Sequence, residues 1–172
     1  MSDHTSKQFD AEMEAIRSGV LAMGGLVETQ LTRAIVLLEN DDRDAVGQVK
    51  ADEKQINRMQ VDLDQMCSQI IAKRQPAAID LRMILTVTKI VNDLERVGDE
   101  TKKVAYKATQ AGMHHRLTRV KYYDVARAAE RAKEMLQLSL DAFARLDATA
   151  AAEVVEIDEE VDAAFSSVLR QL

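Results

Sequence analysis

The stretch PAAIDLRMILTVTKIVNDLERVGDETKKVAYKATQAG, residues 76–112, holds the longest clean helical pattern of the chain and its only concentrated chemistry. Met83, Val87, Ile90, Leu94, Val97, Thr101 and Val104 recur at alternating steps of four and three, with Ile84, Val91, Gly98 and Ala105 beside them. An apolar stripe of that width and period predicts a helix buried along one face. At about 100° per residue, Thr88, Asn92, Glu95, Asp99 and Lys102 fall together along one edge of that face. The pattern therefore predicts a polar strip bordering a core helix.

Glu95 and Asp99 stand one turn apart in that strip, so both carboxylates project from one side of the helix. Like charges at this spacing cost a few tenths of a kcal/mol on a bare helix, and a bound cation reverses the sign. Carboxylates are hard ligands suited to magnesium, calcium, manganese or iron, and an E-x-x-x-D on one helix supplies two of them. The same residues also read as a solvated face in which Asp99 pairs with Lys103 and Arg96 with Glu100. Spacing alone leaves both readings open.

Working outward, Gln75-Pro76 ends the preceding helix, because a proline ring disfavours helical geometry in the residue before it. The same proline suits the first turn of the helix that follows. The preceding helix covers residues 43–73 and presents Val49, Ile56, Met59, Leu63, Met66 and Ile70 in one seam. Asp52 falls inside that seam, and a buried acid needs a partner or a cation. It either faces Glu95 and Asp99 or sits at the wet edge of the seam, and Glu53 and Asp158 are secondary candidates of the same kind.

A first helix over residues 6–40 carries Phe9, Met13, Ile16, Val20, Met23, Val27, Leu31, Ala34 and Leu38 on one face, interrupted by Gly24-Gly25. Each glycine lowers helix propensity by about 1 kcal/mol relative to alanine. The pair therefore marks a kink or a close approach of a neighbouring helix. Asn40-Asp41-Asp42 forms the turn before the second helix.

Ala111-Gly112 closes the third helix, and residues 113–118 link it to the next. His114 and His115 in that link read as solvent-exposed, since adjacent loop histidines make weak ligands without a third partner. A fourth helix over 118–146 turns Val125, Ala128, Ala132, Met135, Leu136, Ser139 and Phe143 inward. A fifth begins at Ala148, capped by Asp147, and carries Val154, Val161, Phe165, Val168 and Leu172.

Composition agrees with helix-on-helix packing. Of 172 residues, 47% are hydrophobic and 30% charged, with one proline, six glycines, no tryptophan, three Phe and three Tyr. The core must therefore be aliphatic and methionine-rich. A net charge of −6 with no Lys/Arg-rich run argues against nucleic acid as a partner. Cys67 is solitary, so no internal disulfide exists, and it reads as a small core residue. The opening residues lack a secretory apolar core, and no run approaches the roughly 18 apolar residues of a membrane span. Direct membrane insertion is not expected.

No catalytic template fits: there is no Gly-rich loop after a strand, no HExxH, and no nucleophile flanked by a base. A carboxylate-bridged di-iron bundle needs a Glu-x-x-His on each of two helices, and that spacing is missing. The chain is read as a non-enzyme.

Sliding the chain 105 positions against itself sets Leu31 on Leu136, Ile35 on Leu140, Leu38 on Phe143, Val49 on Val154, Ile56 on Val161 and Leu63 on Val168. Glu53-x-x-Ile56-Asn57 meets Asp158-x-x-Val161-Asp162. Two copies of one helical hairpin account for this most simply. The expected units are residues 1–113, a three-helix bundle, and 114–172, the first two helices of a second and incomplete bundle. Helices with uncovered apolar stripes find partners, so a homo-oligomer, a dimer, is expected through the fourth and fifth helices.

Ile71-Ala72-Lys73-Arg74-Gln75-Pro76, Asp80-Leu81-Arg82, Leu94-Glu95-Arg96-Val97-Gly98-Asp99 and Asp141-Ala142-Phe143-Ala144-Arg145-Leu146-Asp147, in this order, resemble the signature of the PhoU family of bacterial phosphate-transport regulators. The resemblance implies an all-α protein of repeated three-helix bundles, each with an E(D)-x-x-x-D metal motif, matched here once, by Glu95 and Asp99. It implies a divalent or trivalent ion, among iron, zinc, magnesium and manganese, and a cytoplasmic protein. It further implies contacts with the phosphate-specific ABC transporter and a membrane-bound sensor histidine kinase, restraining phosphate uptake and starvation signalling and so serving phosphate homeostasis and transcription regulation. The competing expectation is a structural helical interaction module without metal.

Overall fold

The computed structural model of the chain describes residues 2–39, 43–109 and 119–171. The described residues form five helices: α1 (Ser2–Glu39), α2 (Arg43–Arg74), α3 (Ala78–Thr109), α4 (Arg119–Arg145) and α5 (Ala148–Gln171). The fold is all-α, as the periodicity predicts. α1, α2 and α3 pack on one another, α4 packs on α1, and α5 packs on α4. α1 is thus shared between a three-helix bundle and a helical hairpin. The turn at residues 40–42, the end expected at Ala111-Gly112 and the pair His114 and His115 lie outside the described residues.

Helix-end chemistry sets the two described links. Gln75 takes a left-handed φ of 49°, and its N–H donates to the Ile71 carbonyl at 3.1 Å, which is an αL cap. Pro76 does not enter the first turn of α3 as its chemistry suggests. Ala78 is also left-handed, at φ 46°, so Pro76 and Ala77 are used in the turn itself. At the end of α4, Leu146 has φ 53°, its N–H donates to Phe143 at 3.2 Å, and the Asp147 N–H donates to Ala142 at 2.9 Å. These are the two bonds of a Schellman motif, with leucine where glycine is usual. Asp147 then caps α5 as expected, its Oδ1 accepting from the Thr149 and Ala150 N–H groups, each at 3.0 Å.

The core joins Ile16, Val20, Met23 and Val27 of α1 to Ile56, Leu63, Cys67 and Ile70 of α2 and Ile84, Val87, Val91 and Leu94 of α3. Each such side chain is worth about 1.5–3 kcal/mol when fully buried. The core is aliphatic, but only Met23 among the described methionines is buried in it; Met13, Met59 and Met66 sit half-buried at its margin. Cys67 is buried, and that burial pushes its thiol pKa up, as suits an inert core residue.

α1 runs through Gly24-Gly25 without a break. A Cβ on Gly24 would lie 2.5 Å and 2.6 Å from the two δ-carbons of Leu140, so close approach of α4, rather than a kink, explains that glycine. Arg17 of α1 donates to the Ala144 carbonyl and so satisfies an orphan acceptor at the end of α4. One expectation is corrected: Lys7–Leu37 is long and apolar enough to cross a membrane. Its apolarity has a simpler cause, since Ile16, Val20, Met23 and Val27 face the bundle on one side and Gly24 faces α4 on another.

Candidate metal centre

The polar strip of α3 lies along its seam with α2. Gln60 donates to Asn92 at 2.8 Å at one point, and Lys102 donates to Glu53 at 2.8 Å further along. Glu95 and Asp99 stand between these two crossings. Asp99 accepts from Lys102 through Oδ1 at 2.9 Å and from Lys103 through Oδ2 at 2.8 Å, while Lys103 also reaches Glu100 at 2.9 Å. Glu53 accepts from Asn57 at 3.1 Å as well. A charge network therefore runs from α2 to the outer side of α3. Glu95, half-buried, makes no ion pair among the described residues.

The Asp99–Lys103 pair expected from the spacing is present, whereas Arg96–Glu100 is not. Arg96 turns to Asp93 at 3.3 Å, and Lys103 serves Glu100. Asp52 matches neither position expected for it. It is buried and accepts a charge-assisted bond from Arg33 of α1. Its neighbour Glu53, about 100° further round α2, is the one that faces α3. Asp158 is exposed on α5, far along the chain from this network.

The two lysines hold the Asp99 carboxyl below its ordinary range, Lys103 contributing most. Glu53 first, and then Asp99, raise the Lys102 pKa, and Asp99 raises that of Lys103. The sign follows from linkage. A depressed carboxylate adds stability above its unfolded value of 3.8 and loses it as the pH falls through the lower folded value. The raised lysines add stability below 10.5 and lose it as the pH rises past that value. Between those limits the network is insensitive to pH. Urea midpoints for the native chain and Asp99→Asn should differ by a constant amount from about pH 5 to 9 and converge toward pH 3. A gap that opens or closes near pH 7 would contradict the assignment.

Gly98, between the two acids, lets α3 approach its neighbours. A Cβ there would lie 3.1 Å from Ile56 Cδ1 and 3.2 Å from Gln30 Oε1. Gln30 is fully buried; its Nε2 donates to the Val49 carbonyl at 3.2 Å, and its Oε1 has no hydrogen-bond partner among the described residues. Sequence reading overlooked Gln30 and Arg33. The available signal was a polar residue between Val27 and Leu31 on the apolar stripe of α1. A cleft of about 490 Å³ borders the same stretch of α3, walled by Leu31, Ala34 and Ile35 of α1, Val97 and Val104 of α3, and Ala129 of α4.

Among the described residues no three His, Cys, Asp or Glu side chains converge on a point. The donor set therefore does not make a closed coordination sphere. The side chains a hard cation could use are Glu95, which makes no ion pair among the described residues, and, one turn on, Asp99, whose oxygens now accept from Lys102 and Lys103. Waters would complete the oxygen shell of a hard cation held there.

Residues 20–108 and 125–172 match the family model described as the PhoU domain. The phosphate-specific transport system accessory protein PhoU homolog of Pseudomonas aeruginosa is 44% identical over 172 residues, covering all of this chain and 71% of that protein. The PhoU of Escherichia coli K12 is 39% identical over 173 residues, covering 70% of its own length. The crystal structure of PhoU from Pseudomonas aeruginosa superposes with a TM-score of 0.89 over 95% of this chain and 78% of that one, at 44% identity. The PhoU of Streptococcus pneumoniae shares the fold at 23% identity, with a TM-score of 0.86 over 95% of this chain and 76% of its own. The PhoU domain match over most of the chain and 44% identity over its whole length place this chain in the PhoU family.

Proposed function

We propose that this chain is an accessory protein of phosphate-specific transport. On this reading it acts in the cytoplasm without turnover of its own. It restrains phosphate uptake and starvation signalling through contacts with the phosphate ABC transporter and its sensor histidine kinase. It self-associates as a homodimer, and Glu95 and Asp99 hold a hard metal ion that links acidic side chains at the protein surface. Family membership supports the transport role, and the relatives' names carry the same association. The observation that supports the metal site is Glu95, which makes no ion pair among the described residues and stands beside a carboxylate that lysines keep ionised. Lysine and a divalent ion compete for the same oxygens of Asp99.

A second reading follows from that same competition. With Lys102 and Lys103 seated on Asp99, the strip is a neutralised seam of a structural interaction module, and no metal is needed. Metal analysis after dialysis against manganese or zinc separates the two. The metal reading expects retained ion in the native chain, loss in Glu95→Ala/Asp99→Ala, and roughly tenfold tighter binding in Lys102→Met/Lys103→Met, where two competing charges are gone. No retention even in the lysine variant favours the structural module. The transport role is tested separately, by whether the chain restores phosphate repression of an alkaline phosphatase reporter in cells lacking their own homologue. Constitutive reporter expression would count against it.

A further inference from the structure

Among the described residues, the buried polar side chains are Gln30, Asp52 and Thr101. Asp52 has the Arg33 cation, and the Thr101 hydroxyl donates to the Val97 carbonyl at 2.7 Å. Gln30 is only half satisfied. Its Nε2 donates to the Val49 carbonyl of α2, while its Oε1, with no donor among the described residues, lies against the bare side of Gly98 on α3. A carbonyl can only accept, so the Gln30 amide is fixed this way round and its oxygen cannot be turned to α2.

A buried amide oxygen without a donor weakens folding. Methionine would fill nearly the same space without that penalty. What glutamine adds is a grip on two helices at once. Val49 stands one turn before Glu53 on α2, and Gly98 stands one turn before Lys102 on α3, between Glu95 and Asp99. Glu53 and Lys102 are the ion pair that joins these helices, at 2.8 Å. A hydrogen bond to one carbonyl has a direction and a length that apolar contacts lack.

We infer that Gln30 positions the acidic strip: its buried amide fixes the offset of α3 along α2 at which Glu53 meets Lys102 and at which Glu95 and Asp99 border the seam. Gly98 is the other half of the device. Without a Cβ it brings its Cα–H edge to the Gln30 oxygen, a weak but directed contact. A Cβ there would lie 3.2 Å from that oxygen and 3.1 Å from Ile56 Cδ1, so alanine pushes α3 off the amide. The consequence for a bound cation rests on the metal reading above; the consequence for the Glu53–Lys102 pair does not.

Two measurements on the full chain test it. A double-mutant cycle of Glu53→Gln and Lys102→Met, read as urea midpoints, gives the coupling between those side chains in the native and Gln30→Met backgrounds. Calorimetric titration with manganese gives the affinity of each chain for a hard cation. Gln30→Met should unfold at a midpoint no lower than native, while the Glu53–Lys102 coupling disappears and the manganese Kd rises about tenfold, as when a residue that orients metal ligands is lost. Coupling that persists in Gln30→Met overturns the inference, and so does a midpoint that falls together with the coupling, which marks an ordinary core contact. Should Gln30→Met not fold, Gly98→Ala, which keeps the amide and displaces α3, carries the same expected loss of coupling, and persistence there overturns the inference. A native chain that shows the coupling and its loss in Gln30→Met but takes up no manganese overturns the metal reading alone.

Discussion

Arg33→Ala is expected to destabilise the chain by about 2–3 kcal/mol, because it strands the buried Asp52 carboxylate against α1 without its cation. Breaking a fully buried pair costs about 3–5 kcal/mol, and the lower figure reflects Arg33, whose side chain is 35% exposed and partly hydrated. The loss should exceed that of any exposed ion pair on α3, such as Arg96 with Asp93. Asp52→Asn should cost less, since the amide oxygen still accepts from the guanidinium. Replacing both partners, Arg33→Met with Asp52→Leu, should recover most of the loss, as apolar exchanges of buried pairs commonly do. Urea unfolding of the four chains measures this. Equal costs for the two single variants, with no recovery in the double, would mean that Asp52 is not held by Arg33.

The second large effect concerns Gly24. Adding a methyl group there brings it against both branches of Leu140, with Cγ 3.1 Å away, so Leu140 must shift within the α1–α4 contact. Overpacking of this kind costs about 1–3 kcal/mol, against about 1 kcal/mol gained from the better helix propensity of alanine. The balance falls on one interface. Hydrogen exchange in Gly24→Ala should speed up along α4 and α5 while α2 and α3 keep their protection. Gly24→Ala/Leu140→Ala should bring much of the protection back. Faster exchange in all five helices would show that bundle and hairpin unfold as one unit.

Element boundaries and the core were legible because their signals are local and periodic. Met83 to Val104 could take no other form than a one-sided helix, and Asp147 announced a helix start with its own side chain. Gly24-Gly25 was ambiguous until α4 was seen resting on it, since a glycine pair reads the same whether it bends a helix or admits a neighbour. The Glu95 and Asp99 face was legible too, but the Glu53–Lys102 crossing was not. It depends on how far α2 is rotated against α3, a rotation set by Ile56 and Gly98 in the core. For the same reason Asp52 took neither of the two positions its place in the seam left open: one residue of rotation separates an acid facing α1 from an acid facing α3. Arg33 gave no warning, because an arginine bordering an apolar stripe usually extends into solvent.

The Leu140–Gly24 contact and the Arg17 bond to Ala144 carry a mechanical consequence. The hairpin is a cantilever whose load passes into α1, the helix that also supplies Gln30 and Arg33 to the bundle core. A pull on α5 would therefore be felt as torque on α1 before it reached the acidic seam of α3.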